Sequence, residues 1–225
     1  MAVDSATYQN SRNNNRMALE NRSGGKYITI LNGKFCVRVE AGTQGAKERI
    51  NKVGKTVHEV FYDSFTAKLV NIRTRDGEYG KSWEFDFRDG GEVYTLQLSF
   101  SNSYATNLLK ILPNVDLTKE MKIQPSQKIV DGKTKSSLFV SQNGVTLKHA
   151  YTKEKPEGLP QMEQVTVKGQ TVWDDTKRLE FLEAMVHRDI LPKLPKDTAA
   201  APAPSDAAEA DEVMNTATDG SDDDF

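Results

Sequence analysis

The sequence predicts a mainly β protein with two helices, and three observations carry this prediction. Apolar and polar residues alternate with a period of two through much of the stretch from 27 to 160, which is the pattern of half-buried strands. Asn-Gly and Asp-Gly pairs interrupt that stretch, and such pairs favour tight hairpin turns because both central residues adopt positive φ. Two segments instead repeat their apolar residues at helical spacing.

The first strands form a hairpin, because YITI and KFCVRV flank the turn Asn32-Gly33. The same turn signal recurs at Asp76-Gly77, Asp89-Gly90, Asp131-Gly132 and Asn143-Gly144. Between the turns lie segments rich in β-branched and aromatic residues: TVHEVFYDSFTAKLVNIRTR, KSWEFDFR, EVYTLQLSF, SSLFVSQ and VTLKHAYT. GTQGAKERINKVGKT is instead predicted to be a flexible cationic loop. Strands at this spacing predict a small sandwich or barrel.

A first helix is predicted at SNSYATNLLKILPN, which has polar capping residues and ends before Pro113. A second, amphipathic helix is predicted at 175–191, with Leu179, Leu182, Val186 and Ile190 on one stripe. That stripe either packs back on the barrel or, together with Met185, mediates homodimerisation. Meandering strands, a helix and further strands are the element order of the OB-fold, a five-stranded barrel that binds oligonucleotides. We therefore expect an OB-like β-barrel with one inserted helix and a C-terminal amphipathic helix.

Composition divides the chain into three regions. Residues 1–25 read as a mobile basic arm, residues 26–194 as the folded domain, and residues 195–225 as a disordered acidic tail rich in Ala and Pro. All 30 Lys and Arg lie at or before Lys196 with 23 of the 32 acids, so residues 1–196 carry +7; the nine remaining acids give 197–225 a charge of −9. Such asymmetry is typical of nucleic-acid or membrane interaction paired with an acidic tail.

No residues suggest a catalytic constellation or a cofactor site. The histidines His58, His149 and His187 lie far apart in the sequence, and Gly54-Lys55-Thr56 lacks the first glycine and the following helix of a phosphate loop. Glu84 and Asp86 alternate with aromatics in one predicted strand and read as solvated acids. We therefore expect no enzyme, no cofactor and no metal.

The single cysteine and the absence of long apolar stretches indicate the compartment. Cys36 cannot form an internal disulfide and is predicted to be a buried, inert thiol in a reducing environment. No stretch has the length of a secretory signal core or of a membrane span. The expectation is a cytoplasmic protein that does not interact with membranes.

Cations and aromatic rings are interleaved in two segments, which predicts nucleic-acid binding. GTQGAKERINKVGKT concentrates cations that can contact phosphates, and RTRDGEYGKSWEFDFR alternates cations with rings on which bases can stack. Phe85 and Phe87 are assigned to the core, and Trp83 and Tyr79 to stacking. The candidate DNA contacts are Lys47, Arg49, Lys52, Lys55, Tyr62, Lys68, Arg73, Arg75, Tyr79, Lys81, Trp83 and Arg88.

The chain ends DGSDDDF, an acidic run closed by an aromatic residue. A cationic barrel followed by such a tail resembles single-stranded DNA-binding proteins, especially those of bacteriophage replication. The resemblance implies a non-enzymatic protein that coats and protects exposed single strands in replication, recombination and repair. It also implies that Asp222, Asp223, Asp224 and Phe225 recruit a polymerase, helicase or primase, inside the host cytoplasm if a phage encodes the protein. The ending lacks the Ile-Pro that precedes Phe in the bacterial proteins.

Two alternatives stay open at this point. The same charges and rings would serve an RNA-binding or RNA-chaperone barrel. A phage structural or assembly protein could also carry an acidic tail, and it would show no salt-dependent affinity for DNA.

Overall fold

The computed structural model describes residues 26–51, 53–167 and 169–195. The predicted basic arm, and the predicted acidic tail from residue 196 onward, lie outside the described residues. The described part is mainly β with two α-helices, as the sequence predicts. Its strands are β1 (Lys26–Leu31), β2 (Lys34–Val39), β3 (Lys47–Ile50), β4 (Thr56–Tyr62), β5 (Phe65–Gly77), β6 (Gly80–Asp89), β7 (Glu92–Ser99), β8 (Met121–Val130), β9 (Lys133–Gln142), β10 (Val145–Thr146), β11 (Glu163–Val167) and β12 (Gln170–Asp174).

Ten of these strands form one sheet in the order β10-β9-β8-β5-β6-β7-β1-β2-β4-β3. All neighbours in it are antiparallel except β1 and β7, which run parallel. Strand β5 is the central long element, because it pairs with β6 along most of its length and with β8 through Phe65–Ala67. Strands β11 and β12 form a separate two-stranded hairpin.

The sheet does not close into a barrel, so the OB-like β-barrel predicted from the sequence is wrong. The two halves of the sheet instead meet where the turn Asn32-Gly33 packs against β8. A Cβ on Gly33 would lie 2.6 Å from the backbone nitrogen of Gln127, and Gly33 has φ +73°. Both the close approach and the left-handed backbone therefore require glycine here.

Helix α1 (Ser103–Ile111) lies in the interior of the curled sheet. Asn102 caps it by accepting a hydrogen bond from the Tyr104 N–H at 2.8 Å. The apolar residues of the helix, including Leu108 and Leu109, are fully buried in the core. The inserted helix predicted from SNSYATNLLKILPN is confirmed.

Helix α2 (Thr176–Met185) continues as a π-helical turn (Val186–Ile190) and a 3₁₀ turn (Leu191–Lys193). The predicted stripe of Leu179, Leu182, Val186 and Ile190 is buried. Three of its members join the core around α1. Of the two interpretations, packing on the domain is therefore the one this stripe adopts.

Strand β6 is buried on both faces from Ser82 to Phe87. Phe85 and Phe87 lie in the core, as predicted, and the ring of Trp83 is 1% exposed and stacks between Phe85 and Phe100. The prediction that Glu84 and Asp86 are solvated acids is wrong, because both are buried. Neighbouring arginines neutralise them, as described below.

The turns are predicted well and several strands are not. Both residues of Asn32-Gly33, Asp131-Gly132 and Asn143-Gly144 adopt positive φ. The turn expected at Asp76-Gly77 lies two residues later, because β5 continues to Gly77. The turn expected at Asp89-Gly90 lies one residue later, because β6 continues to Asp89. The predicted cationic loop contains the edge strand β3, paired with β4. Strands β8, β11 and β12 were not predicted.

Cys36 is buried, as predicted, and burial raises the pKa of its thiol to about 12. In the described ranges, no group of three or more His, Cys, Asp or Glu could hold a metal ion. Among the same residues, no helix has the length and apolar character needed to cross a bilayer.

Candidate nucleic-acid interface

The sheet has one face turned to the core and an opposite face, here called the outer face, that carries most of the candidate cations. Alternation along β5 places Ala67, Leu69 and Ile72 in the core, so Lys68 lies on the outer face. Residues directly opposite each other in a ladder share a face. Lys68 lies opposite Arg88 of β6, and Thr66 lies opposite Lys122 of β8. The outer face therefore runs without interruption across β8, β5 and β6.

The β8–β9 hairpin carries a dense group of cations on this face, here called the lysine face. Alternate residues of β8 and their partners in β9 share it, and no acid occurs among them. Phe139 belongs to the same face and is 50% exposed. The residues that form the lysine face are Lys122, Gln124, Ser126, Lys128, Val130, Lys133, Lys135, Ser137, Phe139 and Ser141.

The sequence produces this arrangement by strict alternation. Leu138 and Val140 point into the core, so Phe139 between them has to point outward. Half of this ring stays in contact with water, so only its buried half contributes to stability. On a face that also carries lysines, such a ring can offer a π-face to a base while the cations contact phosphates.

Two pairs of like charges lie directly opposite each other on the outer face. Lys128 of β8 faces Lys135 of β9, and Lys68 of β5 faces Arg88 of β6. Like charges at such positions destabilise a sheet. A surface with cations in such positions suits a polyanionic ligand, because bound phosphates attract each cation and offset the repulsion between them.

Next to Lys68 and Arg88, the arginines of the outer face form ion pairs with buried acids. Arg73 Nη2 lies 2.5 Å from Glu84 Oε2, and the Arg73 guanidinium also contacts Asp86. Arg75 Nη1 lies 3.7 Å from Glu84 Oε1. Both arginine side chains remain about a quarter exposed, at 29% and 27%. They therefore neutralise the acids and still reach solvent.

Strand β3 at the far edge of the sheet shows the same kind of pairing. Arg49 donates two hydrogen bonds to Glu59, at 2.9 and 2.7 Å. Burial raises the pKa of the Glu59 carboxyl, but the hydrogen bonds and charge of Arg49 outweigh this and lower the pKa below its ordinary value. Lys47 lies opposite Glu59 and is exposed, as is Lys55 before β4. Arg49 is thus a structural partner of Glu59.

The structure separates the other predicted contacts from the outer face. Trp83 is in the core and cannot stack on a base without opening it, so its predicted stacking role is not supported. Lys81 donates hydrogen bonds to Glu183 of α2, at 2.6 and 2.7 Å, and lies over the Phe100 ring. Its position therefore anchors α2.

The two exposed tyrosines do not form a platform with the cations of β5. Tyr62 pairs with Phe35, a core residue, so it lies on the core side of the sheet and opposite to Lys68. Tyr79 is exposed in the turn between β5 and β6. Lys52 and the tail residues Asp222, Asp223, Asp224 and Phe225 lie outside the described residues.

Sequence reasoning missed Lys122 and Phe139 as contacts. A signal was present, because KTKSSLFV places Lys133, Lys135, Ser137 and Phe139 at alternate positions opposite an apolar set. Strand β8 was harder to recognise, since its second half is polar and Pro125 interrupts it. Without β8 the lysines of the two strands cannot be assigned to one face.

Comparison with protein-family models, with curated proteins and with solved structures finds no match for this chain. Its function therefore has to be argued from geometry and charge.

Proposed function

We propose that this protein binds single-stranded DNA on the outer face of its sheet, as a non-enzymatic protein that coats and protects exposed strands during replication and recombination. The observation that carries the proposal is the lysine face, on which Lys122, Lys128, Lys133 and Lys135 lie on the same side of the hairpin as the half-exposed ring of Phe139. Cations for the backbone and a ring for the bases are the two components of single-strand binding with little sequence preference.

The path of the strand follows from the continuity of the outer face. From the lysine face it crosses β5 and β6 at Lys68 and Arg88, and it ends near Arg73 and Arg75. A duplex carries its bases stacked inside, so the Phe139 ring has no π-face to contact there. We therefore expect unpaired strands to bind more tightly than duplex.

Binding across one face of a sheet does not require a closed barrel. The OB-fold binds oligonucleotides through a strand face and its loops, and the cationic outer face offers a comparable surface on an open sheet. We further propose that the acidic tail competes with DNA for the lysine face and recruits replication proteins. Removal of residues 197–225 should then tighten DNA binding.

The proposal is tested by fluorescence anisotropy with labelled oligo-dT at several salt concentrations. We expect the logarithm of the binding constant to fall linearly with the logarithm of the salt concentration. The slope should be about −0.7 for each phosphate contact on a single strand. The double variant Lys128→Gln/Lys135→Gln should reduce that slope by about 1.4. Lys177→Gln is the matched control, since Lys177 lies on α2 and pairs with Glu163 at 2.6 Å.

Matching RNA and duplex DNA are the competitors that separate the alternatives. Equal affinity for RNA would favour an RNA-binding protein. Absence of any salt-dependent affinity for nucleic acid would contradict the proposal and favour an assembly protein. An unchanged salt slope in the double lysine variant would show that the strand binds elsewhere.

A further inference from the structure

Four buried side-chain oxygen atoms on the outer face have no hydrogen-bond partner in the described part of the chain. They are Tyr27 Oη, Glu84 Oε1, Gln97 Oε1 and Ser99 Oγ. Buried polar groups in folded proteins are almost always paired, and an unpaired one costs free energy. A cluster of four such atoms therefore points to something that the polypeptide itself does not supply.

The ladders bring these atoms together. Glu84 of β6 lies opposite Gln97 of β7, and Tyr27 of β1 lies beside Thr95 of β7. Gln97 is only 3% exposed and Glu84 only 2%. Burial, and then the charge of Glu84, raise the pKa of the Tyr27 hydroxyl, as expected for a hydroxyl close to that carboxylate. These side chains form one polar cluster between β1, β6 and β7.

The chemistry of the cluster defines the ligand. Glu84 and Gln97 offer oxygen acceptors, and the hydroxyls of Tyr27 and Ser99 both donate and accept. Arg73 and Arg75 add positive charge at the edge of the cluster. A matching ligand has two adjacent N–H donors, a nearby carbonyl acceptor and an anionic group.

Guanine in a nucleic acid meets all of these conditions. Its Watson–Crick edge carries the N1–H and N2–H₂ donors beside the O6 acceptor, and its phosphate is an anion. Thymine has one N–H donor on that edge, and adenine and cytosine each have one amino group. Pairs of hydrogen bonds to one base are what gives protein–DNA contacts their discrimination.

We propose that this cluster is a subsite for one guanine of the bound strand, with Glu84 and Gln97 accepting from N1–H and N2–H₂ and Tyr27 donating to O6. The inference rests on the proposed function and adds a base preference at one position. The subsite lies on the same face as Lys68 and Arg88. Glu84 and Gln97 are buried there, so a base reaches them only when the side chains that cover them move aside. Arg75 lies 3.7 Å from Glu84, and its long side chain can turn outward to a phosphate as the base enters.

The experiment compares labelled oligo-dT of about 12 nucleotides, a length within the site sizes of OB-folds, with the same oligomer carrying one central guanine or inosine. We expect the guanine oligomer to bind about tenfold more tightly than oligo-dT. Inosine lacks the N2 amino group and should lose most of that gain. Gln97→Met removes the acceptor with little change in volume, and it should abolish the preference while oligo-dT affinity stays unchanged.

Gln164→Met is the matched control, because Gln164 is an exposed glutamine on the separate β11–β12 hairpin, away from the outer face. It should keep the guanine preference. Equal affinity of the wild-type protein for the guanine and thymine oligomers would overturn the inference, as would a preference that survives Gln97→Met.

Thermal melting of each variant separates loss of the subsite from loss of the fold. If Gln97→Met does not fold, Tyr27→Phe replaces it, since it removes a single hydroxyl from a half-buried side chain. A reduced guanine preference in Tyr27→Phe supports the subsite, and an unchanged preference overturns it. Failure of the proposed function gives a different result, because the wild-type protein would then not bind oligo-dT at all. That result would contradict both proposals.

Discussion

Lys128 and Lys135 lie directly opposite each other on antiparallel strands β8 and β9. The two side chains share the lysine face with Lys122, Lys133 and Phe139, and no acid lies among them there. A hairpin that served only as structure would gain stability from an acid at either position. The pair therefore costs stability, and the proposed binding of phosphates gives a reason for keeping it.

Neutralising this pair should stabilise the folded protein. We expect Lys128→Gln/Lys135→Gln to raise the free energy of unfolding by about 0.5 kcal/mol at low ionic strength. The gain should disappear in about 1 M salt, where the Debye length is only about 3 Å. Denaturant unfolding at the two salt concentrations measures it. Loss of stability at low salt would mean that the two lysines do not repel each other.

Phe139→Ala should weaken binding without affecting the fold. Loss of one stacking ring costs about 1 to 3 kcal/mol of binding free energy for single strands, and an exposed residue contributes little to stability. Anisotropy with oligo-dT measures the first quantity and thermal melting the second. Trp173→Ala is the matched control, because Trp173 is equally exposed but lies on the separate β11–β12 hairpin. Equal losses in the two variants would argue against a stacking role for Phe139.

Trp83→Ala should destabilise the protein strongly. The ring is 1% exposed and stacks on Phe85 and Phe100, and truncating such a residue costs about 3 to 5 kcal/mol. Urea unfolding measures the loss. A folded variant with full stability and weakened DNA binding would restore the stacking role that the sequence suggested.

Arg49→Met should destabilise the protein in a pH-dependent way. In the wild type the pKa of Glu59 is lowered, so its ion pair contributes stability above the ordinary carboxyl pKa, and that contribution is lost as the pH falls through the lowered value. Without Arg49, burial raises the pKa of Glu59 and is opposed only by the hydrogen bond from Cys36 and the charge of Arg38. We expect a loss of about 2 kcal/mol at pH 7, discounted because Arg49 is partly exposed.

The loss in Arg49→Met should shrink as the pH falls and Glu59 becomes protonated in the variant. Unfolding curves between pH 4 and 7 follow this trend. The double variant Arg49→Met/Glu59→Gln is the control and should recover most of the stability, since no buried charge is left unpaired. A loss that does not change with pH would show that Arg49 acts through packing alone.

The features that sequence reasoning predicted correctly depend on local interactions. Asn32-Gly33 forms its turn because of its own backbone preferences, and the α2 stripe of Leu179, Leu182, Val186 and Ile190 follows from helical spacing. The burial of Phe85 and Phe87 follows from alternation in one strand. Each of these can be judged within about ten residues of sequence.

The features that were missed depend on which strands are neighbours. Glu84 and Asp86 look exposed in β6 alone, and only the register with β5 shows Arg73 beside them. Arg49 looks like a phosphate contact until β3 is paired with β4 and Glu59. The lysine face requires β8 and β9 to be aligned, and Pro125 concealed β8. A single sequence does not give strand register over such distances.

Helix α1 fills the space inside the curled sheet, and this determines how a polymer can approach the protein. Because α1 occupies that interior, a strand bound as proposed would rest against the outer face and would not have to be threaded. A protein built in this way can attach to the middle of a long molecule whose ends are inaccessible, and it can leave from there as easily.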